Sequence, residues 1–230
     1  YVAVDHRLLM HIPAGINIEQ AAAIPEVFLT AYQTMFWEGE AAPGEKVLIH
    51  AGGSGVGTAA IQLAKAKGLE VFVTASEGKL QTCLELGADY AINYRSEEFS
   101  EVISDITSGE GVNVILDFIG ADYFMRNFNS LATEGRLVQI AMMGGPKVED
   151  MNLIPVLRKR LKIKGTTLRA RSNDYKRKLI QAFEKDFSTE LEEGGIHPFI
   201  DTVFPLEKVA EAHGRMEQNL NIGKIILTVD

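Results

Sequence analysis

The most constraining feature of the sequence is the glycine-rich segment at residues 47–68, "VLIHAGGSGVGTAAIQLAKAKG". An apolar run typical of a buried strand leads into the pattern Gly55-x-Gly57-x-x-Ala60, and a helical pattern ending at Gly68 follows. In this small-residue variant of the dinucleotide fingerprint, Gly55 permits a tight turn, Gly57 leaves room for a diphosphate, and Ala60 lets helix and strand pack closely. The helix N-terminus offers unpaired N–H groups to the anion. The segment therefore predicts a dinucleotide site, and a glycine-rich turn without a ligand is the alternative.

Strand and helix patterns alternate around this turn, from residue 24 to about residue 165. Runs rich in Val, Ile and Leu are separated by segments with apolar residues at helical spacing. Such alternation predicts an α/β fold, a Rossmann-type doubly wound parallel sheet with both faces covered by helices. The predicted strands are residues 46–51, 70–75, 90–94, 112–120, 136–141 and 162–168. The other predicted helices are residues 24–39, 79–87, 97–108, 122–132 and 154–161.

The pattern changes at both ends of this region. After Leu168 we predict a helix over about 173–187, a strand at 199–204, a helix at 206–218 and a strand at 224–229, in the same domain or in another. The opening "YVAV" alternates like a strand but has no cap or turn before it. This predicts a strand entered in mid-sheet and a missing N-terminal portion, and the alternative is a short first strand at a native terminus.

Composition narrows the classes of partner and compartment. A net charge of −8 has the wrong sign for attracting nucleic acid or an anionic membrane. Because Cys83 is the single cysteine, an internal disulfide is excluded and a cytoplasmic location is expected. The basic cluster at residues 158–164 is interpreted as a solvated face. His50 sits within an apolar strand run and is interpreted as a buried structural histidine.

The residues after the second strand bear on the cofactor. NAD is typically recognised by an acidic residue at this strand's tip, whereas a 2′-phosphate requires cations or hydroxyl groups. The strand ends at Ala75 and Ser76, and Lys79 follows shortly after. Glu77 lies at about the acidic distance, so NAD stays open, but its position fits the first helical turn, where carboxylates are common. The sequence favours NADPH.

Several motifs together resemble the zinc-independent quinone oxidoreductase branch of the medium-chain dehydrogenase/reductase superfamily. They are "AAAIPEVFLTAYQTM", "GEKVLIHAGGSGVGTAAIQLAKAKG", "LGADYAINY", "LDFIG", "TTLRAR", "PLEKVAEAHGRME" and "NIGKIILTV", which run in order over essentially the whole chain. The resemblance implies a Rossmann lobe at residues 24–165. It also implies remnants of a GroES-like substrate lobe at both ends: residues 1–23 end an N-terminal GroES-like segment, and residues 166–230 return to that lobe.

The resemblance also implies cofactor contacts. They are Ser54, Gly55, Val56 and Gly57 at the diphosphate; Ala75, Ser76, Lys79 and Tyr94 around the adenosine 2′-phosphate; Thr30, Ile119, Met142, Thr167 and Leu168 along the nicotinamide; and Asn221 and Lys224 in the last loop. Each has a structural alternative: a bond within the helix for Thr30, core packing for Ile119 and Leu168, strand-end packing for Tyr94, and a solvated side chain for Lys79.

The implied activity is NADPH-dependent reduction of quinones or related conjugated carbonyls by hydride transfer, in a homodimer. No metal site is expected: Glu26 stands where zinc-using relatives have a cysteine ligand, although a carboxylate can also bind zinc. No side chain stands out as the catalytic acid. The alternatives are a 2-enoyl thioester reductase, and a non-catalytic NADPH-binding protein or inactive fragment.

Overall fold

A six-stranded parallel sheet forms the centre of the molecule. The structure is a computed structural model that describes residues 2–229. The sheet has the order β3-β2-β1-β4-β5-β6. The strands are β1 (Lys46–Ile49), β2 (Glu70–Ala75), β3 (Tyr90–Asn93), β4 (Val112–Asp117), β5 (Leu131–Gln139) and β6 (Lys162–Gly165). The strand order reverses between β1 and β4, so the predicted doubly wound α/β fold is confirmed.

Helices cover both faces of this sheet. The helices among residues 2–229 are α1 (Ile18–Ala22), α2 (Pro25–Tyr32), α3 (Gly55–Ala66), α4 (Glu77–Glu85), α5 (Phe99–Ile106), α6 (Ala121–Ser130), α7 (Ile154–Arg158), α8 (Asn173–Glu192) and α9 (Val209–Glu217). Of these, α1 and α9 contact the two strands nearest the C-terminus instead of the sheet. Side chains of β1 alternate between two apolar clusters: Val47 and Ile49 join α2, α3 and α8, whereas Leu48 joins α5 and α6. This alternation explains why the strand is apolar at every position from Val47 to Ile49.

The chain after β6 packs partly on the sheet lobe and partly away from it. Leu179, Phe183 and Phe187 of α8 belong to the same apolar cluster as α2 and α3. Strands β7 (Ile200–Pro205) and β8 (Lys224–Thr228) form a separate parallel pair, connected through α9. The predicted division of the chain at residues 23/24 and 165/166 stays a prediction.

Several local features differ from the sequence prediction. Strand β5 begins at Leu131, inside the helix predicted over residues 122–132, and β4 and β6 end three residues before their predicted ends at 120 and 168. Residues 2–4 of the predicted opening strand are not in a strand, and Tyr1 lies outside the described residues. The helix predicted over residues 24–39 is α2 followed by a π-helix at Gln33–Glu38. Helix α8 continues to Glu192, five residues beyond the predicted end at 187, and buries Leu191 in its last turn. Between residues 2 and 229 no helix has the length and apolar character needed to span a bilayer.

Candidate functional site

A cavity of about 1230 Å³ opens at the carboxyl ends of the central strands. Open α/β sheets bind ligands at this edge, at the point where the strand order reverses. The lining residues come from the ends of β1 to β5, the helices that follow them, and the segment before β8. They are Glu26, Val27, Ala51, Gly53, Ser54, Gly55, Val56, Thr74, Ala75, Ser76, Lys79, Tyr94, Phe118, Ile119, Asp122, Tyr123, Arg126, Met143, Gly144, Met216, Glu217, Asn219, Asn221, Gly223, Lys224 and Ile225.

The N-terminus of α3 forms the middle of this cavity. Ser54 is its N-cap: the hydroxyl oxygen accepts from the Gly57 N–H at 3.0 Å, and the carbonyl accepts from the Thr58 N–H at 2.8 Å. The Gly55 N–H faces the Gly223 carbonyl in a parallel β-bridge between Ser54 and Gly223, whereas the Val56 N–H has no partner among residues 2–229. A free N–H group at the positive end of a helix dipole suits the diphosphate of a dinucleotide.

The glycines of this turn have different physical roles. A Cβ at Gly55 would lie 2.7 Å from Cδ of Lys224 and 3.0 Å from Cγ1 of Val27, which are side-chain atoms. A Cβ at Gly57 would collide with the backbone carbonyl oxygens before the helix, including that of Gly52 at 2.6 Å. Gly57 is buried and does not line the cavity, so its missing side chain allows α3 to approach its own turn.

The ends of β2 and β3 provide polar groups at one end of the cavity. Ser76 is the N-cap of α4, yet its side chain makes no capping hydrogen bond, which leaves the hydroxyl for a ligand. Lys79 is half-buried and donates to Oδ1 of Asn219 at 2.7 Å, and its burial lowers the pKa of the ammonium group. Glu77 does not line the cavity, because its carboxylate accepts from Nδ2 of Asn93 at 2.6 Å. These contacts suit a phosphate better than a ribose diol.

Two loops after β4 and β5 form the opposite wall. The Asp117 carboxylate, at the end of β4, accepts from the N–H of Ile119 at 2.6 Å and of Gly120 at 3.1 Å. The next loop joins this turn, because Gly144 N–H donates to the Ile119 carbonyl at 2.7 Å. Both Ile119 and Gly144 line the cavity. Burial raises the pKa of Asp117, opposed by the hydrogen bonds from Ile119 and Gly120.

His50 lies beneath the cavity floor and is fully buried, as predicted. Its Nδ1 lies 2.9 Å from the Thr74 hydroxyl and its Nε2 lies 2.8 Å from Oδ1 of Asn127, whose amide nitrogen donates to Asp117 at 3.1 Å. Because that amide is oriented by Asp117, Nε2 of His50 carries the proton and Nδ1 accepts from Thr74. Desolvation lowers the pKa of His50 to about 4, so the ring is neutral at physiological pH.

A short segment before β8 covers the glycine turn. Gly223 N–H donates to the Gly53 carbonyl at 3.0 Å, and Lys224 forms an ion pair with Glu26 at 3.4 Å. Glu26, where zinc-using relatives were expected to have a cysteine, thus faces a lysine. Among residues 2–229 no three His, Cys, Asp or Glu side chains come together as a potential metal site.

The structure brings most of the predicted cofactor residues into this cavity. Ser54, Gly55, Val56, Ala75, Ser76, Lys79, Tyr94, Ile119, Asn221 and Lys224 line it, whereas Thr30, Gly57, Met142, Thr167 and Leu168 do not. Met143 takes the lining position beside Met142, and Leu168 packs against the apolar cluster around α2. The cofactor contacts of all fifteen stay predictions.

The side chains that α6 contributes to the cavity were not predicted from the sequence. Asp122, Tyr123 and Arg126 line the cavity, and the Arg126 guanidinium lies 4.5 Å from the centre of the Tyr123 ring. Arg126 also donates to Glu98 at 3.2 Å. Their place just after β4, one of the two strands at the reversal of strand order, is the signal that could have identified them.

Known proteins resemble this chain over nearly its whole length. A family model described as zinc-binding dehydrogenase matches residues 55–185. A phenolphthiocerol synthesis polyketide synthase of Mycobacterium bovis is 33% identical over 228 residues, covering 98% of this chain and 10% of that protein. Quinone oxidoreductase-like protein 2 of Bos taurus is 30% identical over 230 residues, covering 98% of this chain and 64% of the relative.

The solved structures agree with this likeness. The JamJ enoyl reductase, in its apo form, superposes with a TM-score of 0.84 at 32% identity, over 96% of this chain and 66% of that one. The chain thus spans less than two thirds of the length of each of these relatives.

Proposed function

We propose that this chain, which belongs to the zinc-binding dehydrogenase family of the medium-chain dehydrogenase/reductase superfamily, binds NADPH and reduces quinones or related conjugated carbonyls. The observation that carries the proposal is one continuous cavity that holds the N-terminus of α3, with the free amide of Val56, together with the Ser76 hydroxyl and the Lys79 ammonium group. A diphosphate and a 2′-phosphate are the anions that this arrangement suits.

Different residues of the cavity would bind different parts of the cofactor. Gly55 and Val56 would hold the diphosphate, Ser76 and Lys79 the 2′-phosphate, and the walls at Ile119 and Gly144 the nicotinamide half. When bound, NADPH supplies the hydride for the reduction. The chain's own contribution is to orient the acceptor and to exclude water from the apolar surface around Phe118 and Ile119.

The quinone assignment rests on the family resemblance. Quinone oxidoreductase-like protein 2 of Bos taurus supports it at 30% identity. On the motifs "IHAGGSGVGTAAIQLAK", "TLRAR" and "NIGKI" we propose the zinc-independent branch and, within it, a relationship to the p53-inducible quinone oxidoreductase. The two-lobed organisation and the homodimer also belong to this proposal, and static light scattering measures the oligomeric state.

A second candidate is a 2-enoyl thioester reductase. The observation that favours it is the likeness to the JamJ enoyl reductase and to polyketide synthases such as that of Mycobacterium bovis. Both candidates use the same cofactor chemistry, so the acceptor distinguishes them. A third candidate, of another class, is a non-catalytic NADPH-binding protein, for which the cofactor binds and neither acceptor is reduced.

The cofactor proposal is tested by titrating the chain with NADPH and NADH. We expect NADPH to bind at least about 10-fold more tightly, because a charge-assisted phosphate contact contributes roughly 1.5–3 kcal/mol. Lys79→Met should abolish most of that preference while leaving NADH unchanged, whereas Lys185→Met, on the exposed face of α8, should alter neither. Equal affinities for the two cofactors would refute the NADPH assignment.

The substrate is tested separately, by following NADPH oxidation with an ortho-quinone and with a crotonyl thioester. Turnover of the quinone supports the first candidate, and turnover of the thioester alone supports the second. Binding of NADPH without turnover of either acceptor supports the non-catalytic candidate.

A further inference from the structure

We infer that Asp117 is a positioning residue that sets the cavity wall against which the nicotinamide half of the cofactor lies. The inference rests on the proposed function. In the sheet order, the phosphate-binding groups of Ser76 and Lys79 follow β2, and the diphosphate turn follows β1. A dinucleotide that crosses the turn therefore reaches the ends of β4 and β5 with its other half. Asp117 lies directly beneath that region.

The Asp117 carboxylate organises the turn after β4 through its two oxygens. Oδ1 accepts from the N–H groups of both Ile119 and Gly120, and Oδ2 accepts from Nδ2 of Asn127. The side chain is fully buried, so water cannot replace these bonds. Removing the carboxylate would leave the buried donors of Gly120 and Asn127 without this acceptor, at about 1–3 kcal/mol each, and would also free the half-buried Ile119 amide.

The turn after β4 is hydrogen-bonded to the loop after β5, which forms the second segment of the cavity wall. Met143 N–H donates to the Phe118 carbonyl at 3.1 Å, and Ala121 N–H donates to the Gly145 carbonyl at 3.0 Å. Gly120 has φ +85°, and a Cβ there would lie 2.9 Å from that Gly145 oxygen. The loops after β4 and β5 are therefore held together in one arrangement, and Asp117 fixes its position relative to the sheet.

The groups around the carboxylate stabilise its charge by hydrogen bonds. Those that face it are the two backbone amides, the Gln139 side chain and Asn127, which in turn contacts the neutral ring of His50. Burying a carboxylate without a cation costs several kcal/mol, and an apolar side chain would avoid that cost. The benefit of the charge is a set of short, charge-assisted bonds that hold the wall in place before a ligand arrives.

Asp117 is the first member of a relay of hydrogen bonds that continues through Asn127 and His50 to Thr74. Because this relay can rearrange, we expect Asp117→Asn to disturb the site less than Asp117→Ala does. The new amide group can donate to Asn127 if the Asn127 side chain rotates by half a turn, so that its nitrogen donates to Nε2 of His50. The proton of His50 then moves to Nδ1, which donates to the Thr74 hydroxyl. Each buried group keeps a partner, and only the charge is lost. Asp117→Ala has no such adjustment.

The inference is tested by comparing NADPH with 2′,5′-ADP, which lacks the nicotinamide half. For Asp117→Asn and Asp117→Ala we expect the Kd of 2′,5′-ADP to stay within about twofold of wild type. The advantage of NADPH over 2′,5′-ADP should shrink about threefold in Asp117→Asn and at least tenfold in Asp117→Ala. If Asp117→Ala fails to fold, Asp117→Asn decides.

A matched control is available at the opposite end of β4. The buried Thr107 hydroxyl accepts from Gly111 N–H at 2.9 Å, far from the cavity edge. Thr107→Val removes a comparable turn contact, and we expect it to lower stability without changing the ratio of the two affinities. A parallel loss for both ligands in the Asp117 variants would indicate a merely structural role and overturn the inference, as would unchanged ratios.

A spectroscopic readout is independent of any ligand. The ¹⁵N shifts of His50 should show a proton on Nε2 in wild type and on Nδ1 in Asp117→Asn, and an unchanged tautomer would contradict the relay. The inference and the proposed function fail differently. A wild-type chain that binds neither ligand refutes the proposed function, and the inference with it, whereas a chain that binds both with unchanged ratios in the variants refutes the inference alone.

Discussion

Acid should destabilise this protein through His50, and the size of the effect follows from its burial. Desolvation lowers the pKa of the ring from 6.5 to about 4 in the folded state. Between these two pKa values His50 is protonated in the unfolded chain and neutral in the folded protein. The free energy of unfolding therefore falls as the pH decreases. Each unit of difference is worth about 1.4 kcal/mol, which gives about 2 kcal/mol at about pH 5 relative to pH 8 and about 3 kcal/mol below pH 4.

Urea unfolding across this pH range, followed by the fluorescence of the single tryptophan, Trp37, measures the effect. His50→Gln should be less stable at neutral pH, because the flexible side chain does not fill the space of the buried ring between Phe99 and Tyr123. It should also lose the part of the pH dependence due to His50. His213→Gln is the matched control, since that ring is exposed and should leave the pH dependence unchanged.

Other groups titrate in the same range, and comparison with the variants removes them. Asp117 acts in the opposite direction, because its raised pKa makes the folded state bind a proton more readily than the unfolded chain. A His50 ring that titrates near 6.5 by NMR, or a His50→Gln variant with the wild-type pH dependence, would refute this account.

Three further predictions concern single contacts. Gly57→Ala should lower the free energy of unfolding by about 2 kcal/mol or more, because its Cβ meets backbone oxygens. Gly55→Ala should lower it by less than about 1 kcal/mol and still weaken NADPH binding. Urea unfolding measures the effect on stability, and NADPH titration measures the effect on binding. Lys159→Met should lower the free energy of unfolding, measured with urea, by about 2 kcal/mol. The lost ammonium group donates to the carbonyls of Phe128, Asn129 and Leu131 at the end of α6. Cys83 should resist thiol reagents at neutral pH until the protein opens, since burial raises its pKa to about 11; rapid labelling of the native protein would contradict this.

The sheet could be predicted well because its strands carry their own signals. The apolar run of β2 ends at Ala75, as predicted, where the next residue caps α4. Local patterns could not show the π-helix at Gln33–Glu38, because the wider turn depends on tertiary contacts such as those of Gln33 with Thr166 and Tyr175. Residues 2–4 show the converse: their sequence alternation alone does not make a strand, which also needs a neighbouring strand to bond.

The candidate site was predictable where the backbone itself forms it. Ser54, Gly55 and Val56 line the cavity because the glycine turn and the helix N-terminus determine their place. Lining side chains on loops and helix faces were harder to predict, since the direction of such a side chain depends on how the helices and strands pack. Met143 lines the cavity instead of Met142, and Arg126 could be identified only once α6 is packed beside α5, whose N-cap Glu98 it contacts.

The segment that covers the glycine turn is joined to it across great distances in sequence. Lys79 and Asn219 are 140 positions apart, and Glu26 and Lys224 are 198 positions apart. During synthesis the sheet can form long before this cover is available, because domains acquire structure as the chain emerges. The turn and the Val56 amide are therefore an open surface until residues 219–224 reach them. The proposed dinucleotide site is complete only after that segment has packed against the turn.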